Sequence, residues 1–252
     1  MKNKNFRNSR LALSIVILVI VSSCSWFAKR SVDKADYTTT SLNLNRQKLG
    51  VIPHEVFGLN NLRELRLYKN HLEEISPDIR KLTKLEKLYI GKNNLKSLPS
   101  EIGELTALKV LSIPFNDLDS LPSSISKLKN LELLVIDQNN LKQLPDGIGE
   151  LPNLKTITVS FNKLDTLQPS LFKSGSIQEL DISYNRIHSI PEEIGNLANL
   201  HQLNVSNAGY MIILPETLCN LRRIDQIILD QSIQVPMCLL VRRPPQLKLI
   251  YR

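Results

Sequence analysis

One asparagine recurs along most of this chain at a fixed interval. Asn70, Asn93, Asn116, Asn139, Asn162 and Asn185 each follow the last by 23 residues, and Gln47 holds the same phase one unit earlier. A period sustained over so many units requires a stack of like supersecondary units, because one unit of this length cannot bury its own apolar face. Around each asparagine lies the pattern LxxLxLxxNxL: Leu62-Leu65-Leu67-Asn70-Leu72, then Leu85-Leu88-Ile90-Asn93-Leu95, then Leu108-Leu111-Ile113-Asn116-Leu118, with further units from Leu131, Leu154 and Ile177. Apolar residues two apart, such as Leu65 and Leu67, put both side chains on one face of a short strand. The asparagine stands where the chain leaves that strand, and its amide can pair backbone groups of adjacent turns that would otherwise be buried alone.

The second half of each unit recurs as well, as in Leu98-Pro99-Ser100-Glu101-Ile102-Gly103-Glu104-Leu105, with Pro122, Pro145, Pro191 and Pro215 in the matching place. Proline suits the first turn of a short helix, and Ile102 and Leu105, three apart, face inward. In two units the proline is shifted by one, at Pro77 and Pro169, which predicts an altered start of the helical turn there. A helical side wider than the strand side bends the stack. The expected fold is an α/β solenoid, an arc with a concave parallel β-sheet and a short helical or 3₁₀ convex side.

This pattern resembles the leucine-rich repeat family over residues 39–235, about eight or nine units. The units decay toward the carboxyl end, where Ala208 and Ser232 stand in place of asparagine. Residues 236–252, with Val241, Pro244, Pro245, Leu247 and Leu249, read as a carboxyl-terminal cap. No comparable amino-terminal cap motif is visible.

The first residues carry a different message. Lys2, Lys4, Arg7 and Arg10 precede an apolar run at residues 11–21, followed by Ser22, Ser23 and Cys24. Basic, apolar and small in that order reads as an export signal, and the run is well short of the roughly 20 residues of a spanning helix. Val21-Ser22-Ser23-Cys24 resembles the bacterial lipobox. The resemblance implies cleavage after residue 23, a palmitate-class lipid on Cys24, and residues 24–38 as a tether. The resemblance further implies, by the sorting rule of some bacterial lipoproteins, that a non-acidic residue at Ser25 suits the outer over the inner membrane. The formal net charge of +8 is partly that of the signal: of 32 Lys and Arg, four fall within residues 1–23, leaving 28 against 24 acidic residues, a net +4. A nucleic-acid partner loses its main support, and a protein partner of a monomeric, lipid-anchored chain replaces it.

Strand residues pointing away from the core form columns across the concave face. One runs Asn43, Arg66, Tyr89, Ser112, Val135, Thr158, Asp181, Asn204; a second, just before the asparagines, runs Arg46, Lys69, Lys92, Phe115, Gln138, Phe161, Tyr184, Asn207; a third runs Glu64, Lys87, Val110, Leu133, Thr156, Glu179, Gln202. The face is basic and aromatic at the amino-terminal third, apolar in the middle and polar at the carboxyl third. Arg66, Lys69, Tyr89, Lys92, Phe115, Val135, Phe161, Asp181 and Tyr184 are the candidate ligand contacts, with Tyr89, Phe115, Val135 and Phe161 as the hot spot. The alternative is that Phe115 and Phe161 fold back to cover leucines at the repeat edge.

The remaining motifs are few. His54, His71, His188 and His201 share no phase of the repeat, so the sequence offers no metal-ligand spacing, and it holds no P-loop, dinucleotide fingerprint or nucleophile elbow. The expectation is a binding module without cofactor. Asn204-Val205-Ser206 matches a glycosylation triplet, which an exported bacterial chain has little use for. Cys219 and Cys238 are either a disulfide or two free thiols. An effector-type enzyme, the competing class, needs a catalytic domain after the repeats, and about 17 residues are too few. A structural envelope protein is the third reading, against which the graded face argues.

Overall fold

A computed structural model describes residues 35–241 and 246–252. The signal at 1–23, Cys24 and most of the tether, and the Pro244-Pro245 pair, lie outside the described residues.

Ten short strands form one all-parallel sheet in chain order: β1 (Ser41–Asn43), β2 (Glu64–Arg66), β3 (Lys87–Tyr89), β4 (Val110–Ser112), β5 (Leu133–Val135), β6 (Thr156–Thr158), β7 (Glu179–Asp181), β8 (Gln202–Asn204), β9 (Gln226–Leu229) and β10 (Lys248–Tyr251). The register never slips across the repeats, so Leu65, Leu88, Leu111, Leu134, Ile157, Leu180, Leu203 and Ile227 make one continuous row. A one-residue slip would turn every leucine outward, which is why the hydrophobic pattern fixes the register so firmly. That row and its partners, Leu62, Leu67 and Leu72 in the first complete unit, are fully buried.

The convex side is built from eight 3₁₀ turns, and among the described residues the one α-helix is α1 (Met237–Val241). Most of the prolines sit one residue earlier than the first-turn position expected of them. Pro53, Pro99, Pro122, Pro191 and Pro215 cap the turns with extended backbone, while only the shifted Pro77 and Pro169 enter the first turn itself. There Ser76 becomes the cap, its hydroxyl accepting from the Asp78 amide at 3.2 Å. The expected alteration at these two units is therefore a change of cap residue. Ile102 and Leu105 face the core and are fully buried.

The asparagines hold the turns together. Asn93 Oδ1 accepts from the Leu72 amide at 3.1 Å, and its Nδ2 donates to the carbonyls of Leu67 and Ile90, both at 3.0 Å, so one side chain bridges two units. Asn70, Asn116, Asn139, Asn162 and Asn185 repeat the arrangement. Among the described residues no buried side-chain nitrogen or oxygen lacks a partner.

The ends differ. Residues 35–40 make a tight turn in which Asp36 accepts from the Thr38 amide at 2.9 Å, leading into the edge strand β1. At the other end the cap region does more than cover the last repeat: Lys248–Tyr251 adds a tenth strand paired in parallel with β9. Between them, the spacing from Leu203 to its register partner Ile227 is 24 residues rather than 23. The extra residue loops out at 209–213, leaving Tyr210 85% exposed. Gly209 is required there, since a Cβ would lie 1.8 Å from the Ile187 carbonyl oxygen.

Candidate ligand-binding face

The residue just before each ladder position, whether asparagine, Gln47 or Ala208, adopts a left-handed backbone. Arg46, Lys69, Lys92, Phe115, Gln138, Phe161, Tyr184 and Asn207 all have φ between 52° and 60°. For a residue with a Cβ this conformation costs roughly 1–2 kcal/mol, so it is imposed by the turn that swings the asparagine inward. Its consequence is a raised rim. Phe115, Phe161 and Tyr184 are 44%, 48% and 42% exposed, so a large part of each ring faces solvent.

The rim and the adjoining strands form two clusters. At the amino-terminal end the Arg66 guanidinium lies 5.2 Å from the Tyr89 ring centroid, and Lys92 Nζ lies 5.9 Å from that of Phe115, both within cation–π range. Arg66 also pairs with Glu64 on its own strand, and that hydrogen bond pushes its pKa up. Lys69 and Lys92 have no ion-pair partner among the described residues, so the open positive charge sits on the rim. Farther along, Phe161 and Tyr184 stack with centroids 4.0 Å apart and planes 7° from parallel. A shallow hollow beside this pair is lined also by Lys163, Arg186 and Asn207.

Between the clusters Val110, Leu133 and Val135 are half-buried in β4 and β5. Asp181 stands apart from the other candidates. Its carboxylate accepts from the Ser183 amide at 2.9 Å, the Ser183 hydroxyl at 2.6 Å and Asn204 Nδ2 at 2.8 Å, so it is committed to bracing the strand exits. Asp137 does the same work toward Thr158 and Ser160. The two aromatic clusters are the part of the face whose chemistry points outward.

A second feature follows the same 23-residue period on the opposite edge of the strands. Arg63, Glu86, Lys109, Glu132 and Lys155 alternate in charge just ahead of successive strands. Arg63 and Lys109 both pair with Glu86, and Lys155 with Glu132 at 2.8 Å. The Lys109 and Arg63 hydrogen bonds hold Glu86 below its usual pKa, and Lys155 does so for Glu132. Most of the charge along this edge is paired, whereas Lys69 and Lys92 on the rim have no ion-pair partner among the described residues. No helix among the described residues is long and apolar enough to cross a membrane.

At the carboxyl end Cys219 and Cys238 come into bonding contact, with Cα atoms 6.1 Å apart, a separation ordinary for bridged cysteines. Of the histidines, His188 Nδ1 lies 3.0 Å from the Asp165 carbonyl and His201 Nδ1 3.0 Å from Asp225.

Comparison with known proteins agrees with this architecture. Family models described as leucine-rich repeat match residues 38–95 and 152–208, and one described as leucine-rich repeat region matches 89–173. A leucine-rich repeat protein of Leptospira interrogans is similar at 30% identity and TM-score 0.62, over 83% of this chain and 59% of its own. A TDR receptor is similar at 32% identity and TM-score 0.74, over 84% of this chain and 38% of its own. The plant peptide hormone receptor RGFR1, in complex with RGF2, shares the fold at 23% identity and TM-score 0.71, over 86% and 40%. The chain thus spans about three fifths or less of each of these proteins. Curated protein sequences give no match. With an unbroken register of repeats, the asparagine ladder and these matches together, the chain belongs to the leucine-rich repeat family.

Proposed function

We propose that this chain is a membrane-anchored module that binds a protein partner on its concave face, for adhesion or for contacts within the envelope, and that it does not catalyse a reaction. The observation that carries the reading is the rim: aromatic and cationic side chains that the core does not use, held outward by a backbone turn in every repeat. Exposed aromatic residues ringed by polar ones have the composition of a protein-binding patch. The fold it shares with RGFR1, which is in complex with RGF2, supports a polypeptide ligand. Tyr89, Phe115, Val135 and Phe161 supply apolar contact, while Lys69 and Lys92, helped by Arg66, draw in an acidic segment. Tyr184 borders the ligand by its stacked ring, and Asp181 braces the strand exits beside it.

Cys24 carries the lipid in this reading. Each buried methylene contributes roughly 0.8 kcal/mol, so more than one acyl chain gives lasting attachment. The protein is exported and held at the outer membrane.

The test places a photo-crosslinking residue at position 115 or 161, and as a control at Lys127 on the convex side, in the full chain on intact cells. A polypeptide adduct from the first two positions and none from the third is expected; adducts from Lys127 alone would sink the concave assignment. With the partner in hand, Phe115→Ala and Phe161→Ala each weaken binding by at least about 1 kcal/mol. Lys69→Ala and Lys92→Ala mainly slow association and flatten its salt dependence. Cys24→Ala leaves the membrane fraction.

A further inference from the structure

The carboxyl end holds a cluster that the binding reading does not use. Glu216 and Cys219 belong to the last 3₁₀ turn, Glu216–Asn220, and Cys238 to α1, which packs against that turn. Glu216 Oε2 lies 3.5 Å from Cys238 Sγ and 3.9 Å from Cys219 Sγ. The three ligand atoms all fall within 4.8 Å of one another, with both cysteines half-buried and the carboxylate at the surface. We propose that, with its two cysteines reduced, this cluster is a binding site for a soft divalent cation of the zinc class.

Three observations carry it. Around a tetrahedral zinc ion, with sulfur at about 2.3 Å and oxygen at about 2.1 Å, a carboxylate oxygen and a thiolate sulfur are roughly 3.6 Å apart. The two carboxylate-to-sulfur separations bracket that figure. The 6.1 Å between the cysteine Cα atoms is compatible with sulfurs roughly 3.8 Å apart, the separation two thiolates on one ion require. The turn that presents Glu216 and Cys219 is itself fixed to the preceding unit, since Thr217 Oγ1 donates to the Glu192 carbonyl at 2.6 Å. Two sulfurs and one oxygen select zinc-like ions over magnesium or calcium, and three protein ligands leave a fourth position for water or a ligand of a second molecule.

The balance is simple. On binding, the two thiols release their protons to solvent and their sulfurs take the ion, with Glu216 as third ligand. A small-molecule disulfide reverses this: it takes two electrons from the sulfurs, closes the Cys219–Cys238 bond, picks up two protons from solvent to leave as two thiols, and frees the ion. The site and the bridge are alternative states of one pair of sulfurs.

The experiment titrates cobalt(II), a spectroscopic stand-in for zinc, into the full chain reduced under anaerobic conditions, and zinc against a chromogenic chelator. One equivalent is expected to bind with a thiolate-to-cobalt absorption band in the near ultraviolet, and oxidised glutathione abolishes the band. Glu216→Gln weakens binding at least tenfold while keeping the band, and Cys238→Ser removes it. Circular dichroism of each variant reports whether the repeats stay folded; a variant that has unfolded is replaced by iodoacetamide-blocked wild-type chain, which must also lose the band. Absence of the band in the reduced wild type overturns the site. So does equal cobalt affinity of the oxidised chain, or of Glu216→Gln.

Discussion

The middle of the arc and its carboxyl end solve one problem with different chemistry. From Asn70 to Asn185 each turn is joined to its neighbour by a neutral amide that donates and accepts at once. Past Asn207 that amide is gone. Ala208 sits fully buried in its place, its carbonyl taking the Ile187 amide at 2.7 Å, and the next junction relies on Asp230, whose carboxylate accepts from the Asn207 amide at 2.6 Å and the Ser232 amide at 2.8 Å. The extra residue at 209–213, the contact of Cys219 with Cys238 and the added strand β10 all cluster in this region. A solenoid can drop its repeating bond only where other links, local and irregular, take over the stacking. The middle repeats the asparagine bond at every junction, with Asp137 and Asp181 adding braces at two of them, while the end is individually stitched.

The largest break in that comparison comes from the ladder. Asn116→Ala strips the Leu95 amide of its acceptor and the Ile90 and Ile113 carbonyls of a donor, all in a buried turn. At about 1–3 kcal/mol for each buried group left without its partner, partly relieved by relaxation, the loss is about 4 kcal/mol. Urea unfolding followed by circular dichroism measures it, and a loss under about 1 kcal/mol would show that the ladder is dispensable.

Next is the stitched end. We propose that Cys219 and Cys238 are bridged in the exported protein. Closing a loop of 19 residues, the bridge contributes about 3 kcal/mol. Reduction in the presence of a chelator is expected to unfold 207–252 before the middle of the arc, read as early loss of amide protection there. Two alkylatable thiols in the unreduced chain would refute the bridge.

Smaller again is the contrast between tightly and loosely stacked convex turns. A Cβ at Gly149 would lie 1.9 Å from the Ser170 carbonyl oxygen, whereas one at Gly58 meets nothing within 4 Å. Gly149→Ala is expected to cost about 2 kcal/mol through forced separation of two units, and Gly58→Ala to change stability little. Equal effects in urea unfolding would mean the units can slide apart freely.

The same contrast governs what was legible in the sequence. The asparagine period located every strand from β2 to β7 and the inward faces of all of them, because the period arises from one bond repeated in one geometry. At the carboxyl end the decay of the repeats, a cap and the cysteine pair were legible but their particular stitches were not: nothing in Lys248–Tyr251 announces a strand until β9 is there to pair with it, and the nearness of Glu216 to Cys238, 22 residues on, depends on how α1 docks. The rim residues were correctly set outward by counting, yet their left-handed backbone was invisible, as residues such as Phe115 and Lys92 have no preference for it. The alternating ladder from Arg63 to Lys155 follows the same count, but single charges just ahead of a strand do not by themselves show which of them pair.

The finest way to separate the two regions is acid. An amide does not titrate and a carboxylate does, so lowering the pH should loosen the junction at Asp230 while leaving those at Asn93 or Asn116 intact. Burial pulls the Asp230 pKa up, but hydrogen bonds from the Ser232 hydroxyl and from the Asn207 and Ser232 amides outweigh it, and the group lies below its ordinary value of 3.8. A carboxylate whose folded pKa is lowered stabilises the fold at pH values above the unfolded pKa, and that contribution is lost as pH falls through the folded one. The loss therefore begins near pH 4 and completes below the depressed value. Followed by NMR, the Asn207 and Ser232 amide resonances should shift through this window while those of Leu72 and Leu95, which donate to ladder asparagines, stay in place. Glu86 and Glu132, also lowered by their lysine partners, titrate at the exposed opposite edge and should move only their own neighbours. Asp230→Asn keeps an acceptor for only one of the two amides, which bond to different carboxylate oxygens, and removes the titrating group, so it should abolish the Asn207 and Ser232 transition. If the Leu72 and Leu95 resonances moved first instead, the acid-sensitive junction would lie in the ladder, and the division drawn between the two ends of the arc would fail.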